Sequence, residues 1–260
     1  MAAGLDIAVV PLYVRIGDAV YRDGVDLQPG ELYRRLAEGG ENASTSASSP
    51  GDFLEAFVGT GQSEIVCVTV ADGMSSNHQH ARLAAGQFSG RVDVVDSKSA
   101  SMGEGFVALE ATRRAAENGS MEEVVRRALE VARNVTFVAT VDTFEYLKRS
   151  GRVTKLQAYA ATMLEIKPVF AFRDGNAIPV ARGRTRRRAL QRIVDEALRE
   201  IGDRHAHLAA VHAAAEEDAQ SVLEQIQARA DVIDSLVTEV TPVVGAHTGP
   251  GLVGAAVFCD

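Results

Sequence analysis

Short β-branched runs alternate with amphipathic helical patterns through the first 140 residues or so, and this alternation constrains the fold more than any other feature. Glu64 to Val70 and Arg91 to Val95 read as strands, with helical spacing over His78 to Gly86 between them. Parallel neighbours need a crossover connection, so strand, helix, strand predicts a parallel sheet covered on both faces. Further helices are expected from Glu104 to Ala116 and after Ser120-Met121-Glu122-Glu123, a capping box. Pro29-Gly30-Glu31 opens another helix, running to about Ala37. Pro50 occupies a first helical position behind Ser49, a credible cap.

The rest of the chain reads differently. Val169 to Phe172 and Ala177 to Ala181 flank the turn residues Arg173-Asp174-Gly175-Asn176, which predicts a hairpin and a mixed sheet. Thr136 to Val141, Ala206 to His212, Ser235 to Val244 and Gly254 to Phe258 are expected strands. Helices are expected at Thr143 to Lys148, Lys155 to Met163, Arg186 to Arg199 and Ala215 to Ala230. Near the start, the apolar run Ile7 to Val14 pairs with Ala19 to Tyr21 across Gly17-Asp18. The expectation is an α/β protein in two units. Residues 1–140 form the first, with a parallel sheet, and 141–260 the second, with a mixed sheet.

Composition sets limits on function. Hydrophobic residues are 46% and charged residues 24% of the chain, which excludes a disordered tail protein. A net charge of −8 argues against a surface that binds nucleic acid over the whole molecule. No run reaches the roughly eighteen apolar residues a membrane span requires. Met1-Ala2-Ala3-Gly4-Leu5-Asp6 has no basic flank of signal type, so a cytoplasmic location is expected. Cys67 and Cys259 lie in apolar runs and read as buried small hydrophobes in a reducing compartment.

Few motifs carry chemistry. Gly249-Pro250-Gly251-Leu252-Val253-Gly254 matches a dinucleotide-binding loop in form, but a strand-like end follows it where that loop needs a long helix. The preceding His247-Thr248 is either an anion contact or part of a tight connection between strands. Arg182-Gly183-Arg184-Thr185-Arg186-Arg187-Arg188 concentrates positive charge at a helix start, against the helix dipole. A solvated face and an anionic ligand or partner both remain open there, and the lack of aromatics disfavours nucleic acid. His78, His80, His205, His207 and His212 lack the companions of a metal site, so no metal is expected. Neither a GxSxG elbow nor a phosphate-binding loop with its lysine occurs. The hydroxyl-rich Ser44-Thr45-Ser46-Ala47-Ser48-Ser49 is either a helix-capping loop or a set of neutral donors for a carboxylate or phosphate.

Several weak motifs in order now make a specific match. Thr45-Ser46, followed by Ser49-Pro50-Gly51-Asp52-Phe53, resembles the hydroxyl loop of the DegV family. Val95-Asp96-Ser97-Lys98-Ser99-Ala100-Ser101-Met102-Gly103 resembles its central strand-to-helix segment. Tyr146 to Val153, Ile166-Lys167-Pro168, Arg184-Thr185 and His247 to Gly251 follow in the family's order, and Pro11 to Val14 and Tyr21 to Asp26 fit as well. The resemblance implies a two-domain DegV-like fold that encloses a long-chain fatty acid in an apolar tunnel. It further implies presentation of the carboxylate to a fatty-acid kinase, which makes an acyl phosphate for phospholipid synthesis. The chain itself would be a carrier without catalytic residues or cofactor, with at most transient membrane contact. Carried over by motif, Thr45, Ser46 and Ser75 would bind the carboxylate. Arg152, Arg184, Thr185 and His247 would line the headgroup or kinase-facing side. The alternative is an enzyme or binding module for a small anionic or phosphorylated metabolite.

Two departures stand out. The family's second hydroxyl loop reads Ser-Ser-x-x-Ser-Gly-Thr, whereas this chain has Ala71-Asp72-Gly73-Met74-Ser75-Ser76-Asn77, with a carboxylate at Asp72 that would repel an anion. Family members also begin with a strand ending in Thr-Asp-Ser and a helix, neither of which this sequence contains. The expectation is a shortened start.

Overall fold

The computed structural model describes residues 5, 7–37, 42–151 and 166–259. The expected helix from Lys155 to Met163, and Arg152, lie outside these residues.

Strands β9 (Ala206–His212) and β11 (Val253–Cys259) are buried along their whole lengths and are adjacent interior strands of a six-stranded sheet. Its order is β10-β9-β11-β6-β7-β8, with β6 Thr136–Thr140, β7 Lys167–Arg173, β8 Asn176–Gly183 and β10 Val232–Glu239. Only β9 and β10 run parallel, and the other neighbours are antiparallel, so the sheet is mixed.

The period-two alternation of these strands divides two cores. Val138, Leu208, Ala210, Val253, Ala255 and Val257 pack on one face against Ile193, Ala197, Val222 and Ile226. These last four belong to α7 (Arg186–Ile201) and α8 (Glu216–Gln227). On the other face Phe137, Ala139, Ala209, Val211, Ala256 and Phe258 meet Phe106, Val107, Val124 and Val131. These come from α4 (Met102–Ala116) and α5 (Met121–Asn134). Ser120 caps α5 with the reciprocal bonds of a capping box to Glu123, as its sequence predicts.

The opposite side of α4 and α5 covers a parallel pair, β4 (Glu64–Thr69) and β5 (Arg91–Asp96). Helices α2 (Pro50–Gly59) and α3 (Asn77–Ala85) close the outer face of this pair through Phe53, Phe57, Ala81 and Ala84. The layers therefore run α2/α3, parallel pair, α4/α5, mixed sheet, α7/α8. This is the two-sheet α/β architecture that the sequence predicts. Strand β6, on the 1–140 side of the expected division, belongs to the mixed sheet.

A small antiparallel sheet, β2-β1-β3, completes the fold beside α1 (Pro29–Ala37), with β1 Tyr13–Ile16, β2 Ala19–Arg22 and β3 Ala43–Ser46. The expected hairpin forms at Gly17, whose φ is +58°, but its first strand begins at Tyr13 rather than Ile7. Pro11 lacks the N–H that a ladder requires. A second difference lies near the C-terminus. Strand β10 stops at Glu239, and Pro242–Thr248 forms the helix α9 (α6 being Glu145–Ser150) where the β-branched sequence predicted continued strand. Proline at the first helical turn and an acceptor for the Val243 N–H, Asp23 Oδ1 at 2.9 Å, favour the helix.

Burial, and then the charge of Glu104 in the first turn of α4, raise the pKa of the Cys67 thiol on β4. Burial first, and then the charge of Asp96, push the pKa of Glu104 itself up to about 8. A carboxyl raised in the folded state contributes stability that is complete below its unfolded pKa and is lost as pH rises through the folded value. Glu104→Gln should therefore flatten the decline in thermal stability between pH 5 and pH 9, with a gain of up to a few kcal/mol at the alkaline end. Superimposable melting-temperature profiles for the two proteins would contradict this assignment.

Candidate functional site

Three segments far apart in sequence meet beside the small sheet. The first is β3 and the loop after it. Alternation places Thr45 half-buried on one face and Ser46 exposed on the opposite face, so the two hydroxyls do not converge. Opposite Thr45 lies the fully buried Val14 of β1.

The second segment is α9. Its residue His247 places Nε2 2.8 Å from Thr45 Oγ1, joining positions 202 residues apart. Helix α9 is held at both ends. Asp23 accepts the Val243 N–H at its start, and burial of that carboxyl raises its pKa. At its end the chain leaves through Gly249 at φ +70° and ψ 175°, backbone available almost only to glycine. A Cβ there would lie 2.3 Å from the Tyr146 ring. His247 and Thr248 are thus helical, whereas the sequence placed them in a loop between strands.

Arg186 secures the turn that follows. It donates through Nη1 to the Gly251 carbonyl and contacts Asp142 Oδ1 at 3.1 Å, while its Nε donates to Asp218 Oδ2 at 2.8 Å. Gly251, at φ +90°, lets Asp142 lie where a Cβ would collide with its carboxylate at 2.5 Å. Lys167 Nζ donates to the Asp142 main-chain oxygen at 2.6 Å and carboxylate at 3.1 Å, completing the cluster. Sequence reasoning singled out Arg184 and Thr185 but not Arg186. The available signal was the cap itself, because Thr185 accepts the Arg188 N–H and so starts α7, leaving Arg184 outside the helix and Arg186 at its first position.

The third segment is the turn before α3. Ser75 is half-buried, and its Oγ accepts the Asn77 N–H at 3.2 Å. Asp72 is exposed, and its N–H donates to Asp96 Oδ1 at 3.3 Å. The first and third segments are joined at Ser48, whose N–H donates to Asn77 Oδ1 at 3.1 Å. The Ser48 carbonyl lies 2.7 Å from His80 Nδ1.

Arg184 and Thr185 lie exposed at the start of α7. Arg182, Arg184, Arg188 and Arg192 surround a hollow of about 560 Å³ with Asp195 on its edge. Gly183 lets the start of α7 pack close against β8, since a Cβ there would be 2.5 Å from the Ala189 nitrogen. Arg192 pairs with Asp195 at 3.4 Å, but Arg182, Arg184 and Arg188 form no ion pair among the described residues. Among the described residues, no group of three His, Cys, Asp or Glu side chains could hold a metal ion.

The fold therefore brings neutral hydroxyls and a histidine together on a two-sheet α/β frame, and places an arginine-rich hollow at the start of α7. Comparison with known proteins places this frame in a family. The family model described as "Uncharacterised protein, DegV family" matches residues 1–260, and the chain belongs to that family. A DegV domain-containing protein of Streptomyces coelicolor is 32% identical over 255 residues, covering 96% of this chain and 90% of that one. Among solved structures, a DegV family protein from Thermus thermophilus, described by its fatty acid binding, superimposes with a TM-score of 0.95. It is 30% identical, with 100% of this chain and 94% of that chain covered. DegV of Bacillus subtilis, described as a fatty acid binding protein, shares the fold at a TM-score of 0.86 and 24% identity, covering 96% and 91%.

If Arg186 holds the turn after α9, Arg186→Met should speed amide hydrogen exchange across 247–251 and destabilise the fold by about 1–3 kcal/mol. Arg184→Met should leave both unchanged. Equal effects of the two substitutions would show that Arg186 is not the anchor.

Proposed function

We propose that this protein binds a long-chain fatty acid and presents its carboxylate to a fatty-acid kinase. The observation that carries the reading is the 2.8 Å contact between Thr45 and His247 at the hydroxyl junction. It is supported by the fatty acid binding of the Thermus relative, whose fold matches over the whole chain.

Thr45 and Ser75 serve as the carboxylate ligands in this reading. Ser75 has an acceptor position filled by the Asn77 N–H, and its own hydrogen is left to donate. Thr45 can donate to a carboxylate only if His247 donates to it, which requires the proton on Nε2. Neutral donors suit a carboxylate that must later act as a nucleophile. A bidentate arginine would hold the ground state more strongly and lower its reactivity. Ser46 lies on the opposite, exposed face of β3.

The acyl chain would run through an enclosed aliphatic tunnel, gaining about 0.8 kcal/mol for each methylene removed from water. Arg184, with its neighbours Arg182 and Arg188, and Arg152 would face the kinase, and His247 would stand between headgroup and partner. On this reading the chain performs no chemistry itself, works in the cytoplasm as part of phospholipid synthesis, and touches membranes at most transiently. No helix among the described residues is long and apolar enough to cross a membrane. The division into units 1–140 and 141–260 belongs to the same proposal.

Native mass spectrometry of the purified protein should show one bound acid per chain, weakened or lost in Ser75→Ala. Arg184→Ala should keep the acid but lower acyl phosphate formation with a fatty-acid kinase. A wild-type protein that carries no acid and takes up no added oleate would refute the binding role. Unchanged kinase turnover with Arg184→Ala would refute the docking role.

A further inference from the structure

Residues 76 and 77 are where this chain departs from the family's Gly-Thr, and the structure gives the second of them a specific task. Asn77 is 5% exposed and opens α3. Its side-chain Oδ1 accepts the Ser48 N–H at 3.1 Å, and its own main-chain N–H donates to Ser75 Oγ at 3.2 Å. Ser48 is wholly buried, so its N–H has no access to water and depends on that acceptor. The other polar groups of Ser48 are also engaged. Its hydroxyl donates to the Pro11 carbonyl at 3.0 Å, and its carbonyl meets His80 Nδ1 at 2.7 Å.

We propose that Asn77 is a positioning residue that couples the two hydroxyl loops, one through its side chain and one through its main chain. Ser48 lies three residues after Thr45, and Ser75 two residues before Asn77, so one residue sets the relative placement of both carboxylate donors. The bond to Ser75 also orients that hydroxyl. With its oxygen engaged as acceptor, its hydrogen is the part presented to an anion. The inference rests on the fatty-acid reading for its ligand, but the coupling of the loops does not depend on it.

Two variants and two kinds of measurement separate these points. Asn77→Leu removes the acceptor and leaves the Ser48 N–H buried without a partner. Amide exchange at Ser48 should accelerate, and oleate affinity should fall about ten-fold or more, the scale of one lost hydrogen bond. Asn77→Asp keeps an acceptor in the same place but adds a charge beside Ser75. Ser48 should then remain protected and oleyl alcohol should bind as to wild type, while oleate binding weakens about ten-fold or more. A purely structural role would move both ligands together, and that result overturns the proposal. So does wild-type exchange at Ser48 in Asn77→Leu, or, if that variant does not fold, wild-type oleate binding in Asn77→Asp. If wild type binds neither ligand, the fatty-acid reading fails, and Ser48 exchange alone decides the coupling.

Discussion

Burial of β11 on both faces is the constraint on which the rest depends. The strand lies between β9 and β6 and pairs antiparallel with each, from Val253 through Val257 on both sides. No residue along it reaches water, so the alternation of its side chains requires helices above and below the sheet. Helices α7 and α8 meet one requirement, and α4 and α5 the other. Because α4 and α5 also carry the parallel pair on their far side, the two sheets are joined through one shared helical layer. A polar chain crosses it, from Glu110 to Arg113 and Arg127, with Arg113 reaching Asp234 and Asp234 reaching the buried His207. Paired on this scale, the Glu110 carboxylate can be buried without a large penalty.

The candidate site forms where this frame ends. Leaving α9, the chain passes through Gly249 and Gly251, both at positive φ, and re-enters the mixed sheet at β11. Tyr146 and Asp142 fill the space that side chains at these glycines would occupy, and Arg186 ties the turn to α7. That arrangement fixes the end of α9 and with it His247. Thr45 is fixed independently by β1, and Ser75 through Asn77 and Ser48. The hydroxyl junction therefore inherits its geometry from a side-chain bond at the turn after α9, a backbone ladder along β3, and side chain-to-backbone bonds at Ser48 and Asn77. Preorganisation of this kind keeps neutral donors in place without a strong countercharge.

Much of this was legible in the residues. Strand β4 and helix α4 follow directly from periodicity, the cap at Ser49 from the proline after it, and the cap at Ser120 from the spacing of a hydroxyl and a carboxylate three residues on. Local pattern misled at Pro242–Thr248, where Val243 and Val244 suggest strand and a tertiary acceptor, Asp23, stabilises helix instead. The arginine run was visible, but which member turns inward depended on the helix starting at Thr185. Asn77 read as a weakness in the motif because its partner, Ser48, is 29 residues away, and pairing at that range is set by packing.

In the proposed site Thr45 and Ser75 hold the carboxylate together, which carbon NMR of oleate labelled at its carboxyl carbon tests directly. A bound resonance distinct from the free acid is expected, shifted again in Thr45→Val and in Ser75→Ala. A bound resonance at one position in wild type and in both variants would contradict it.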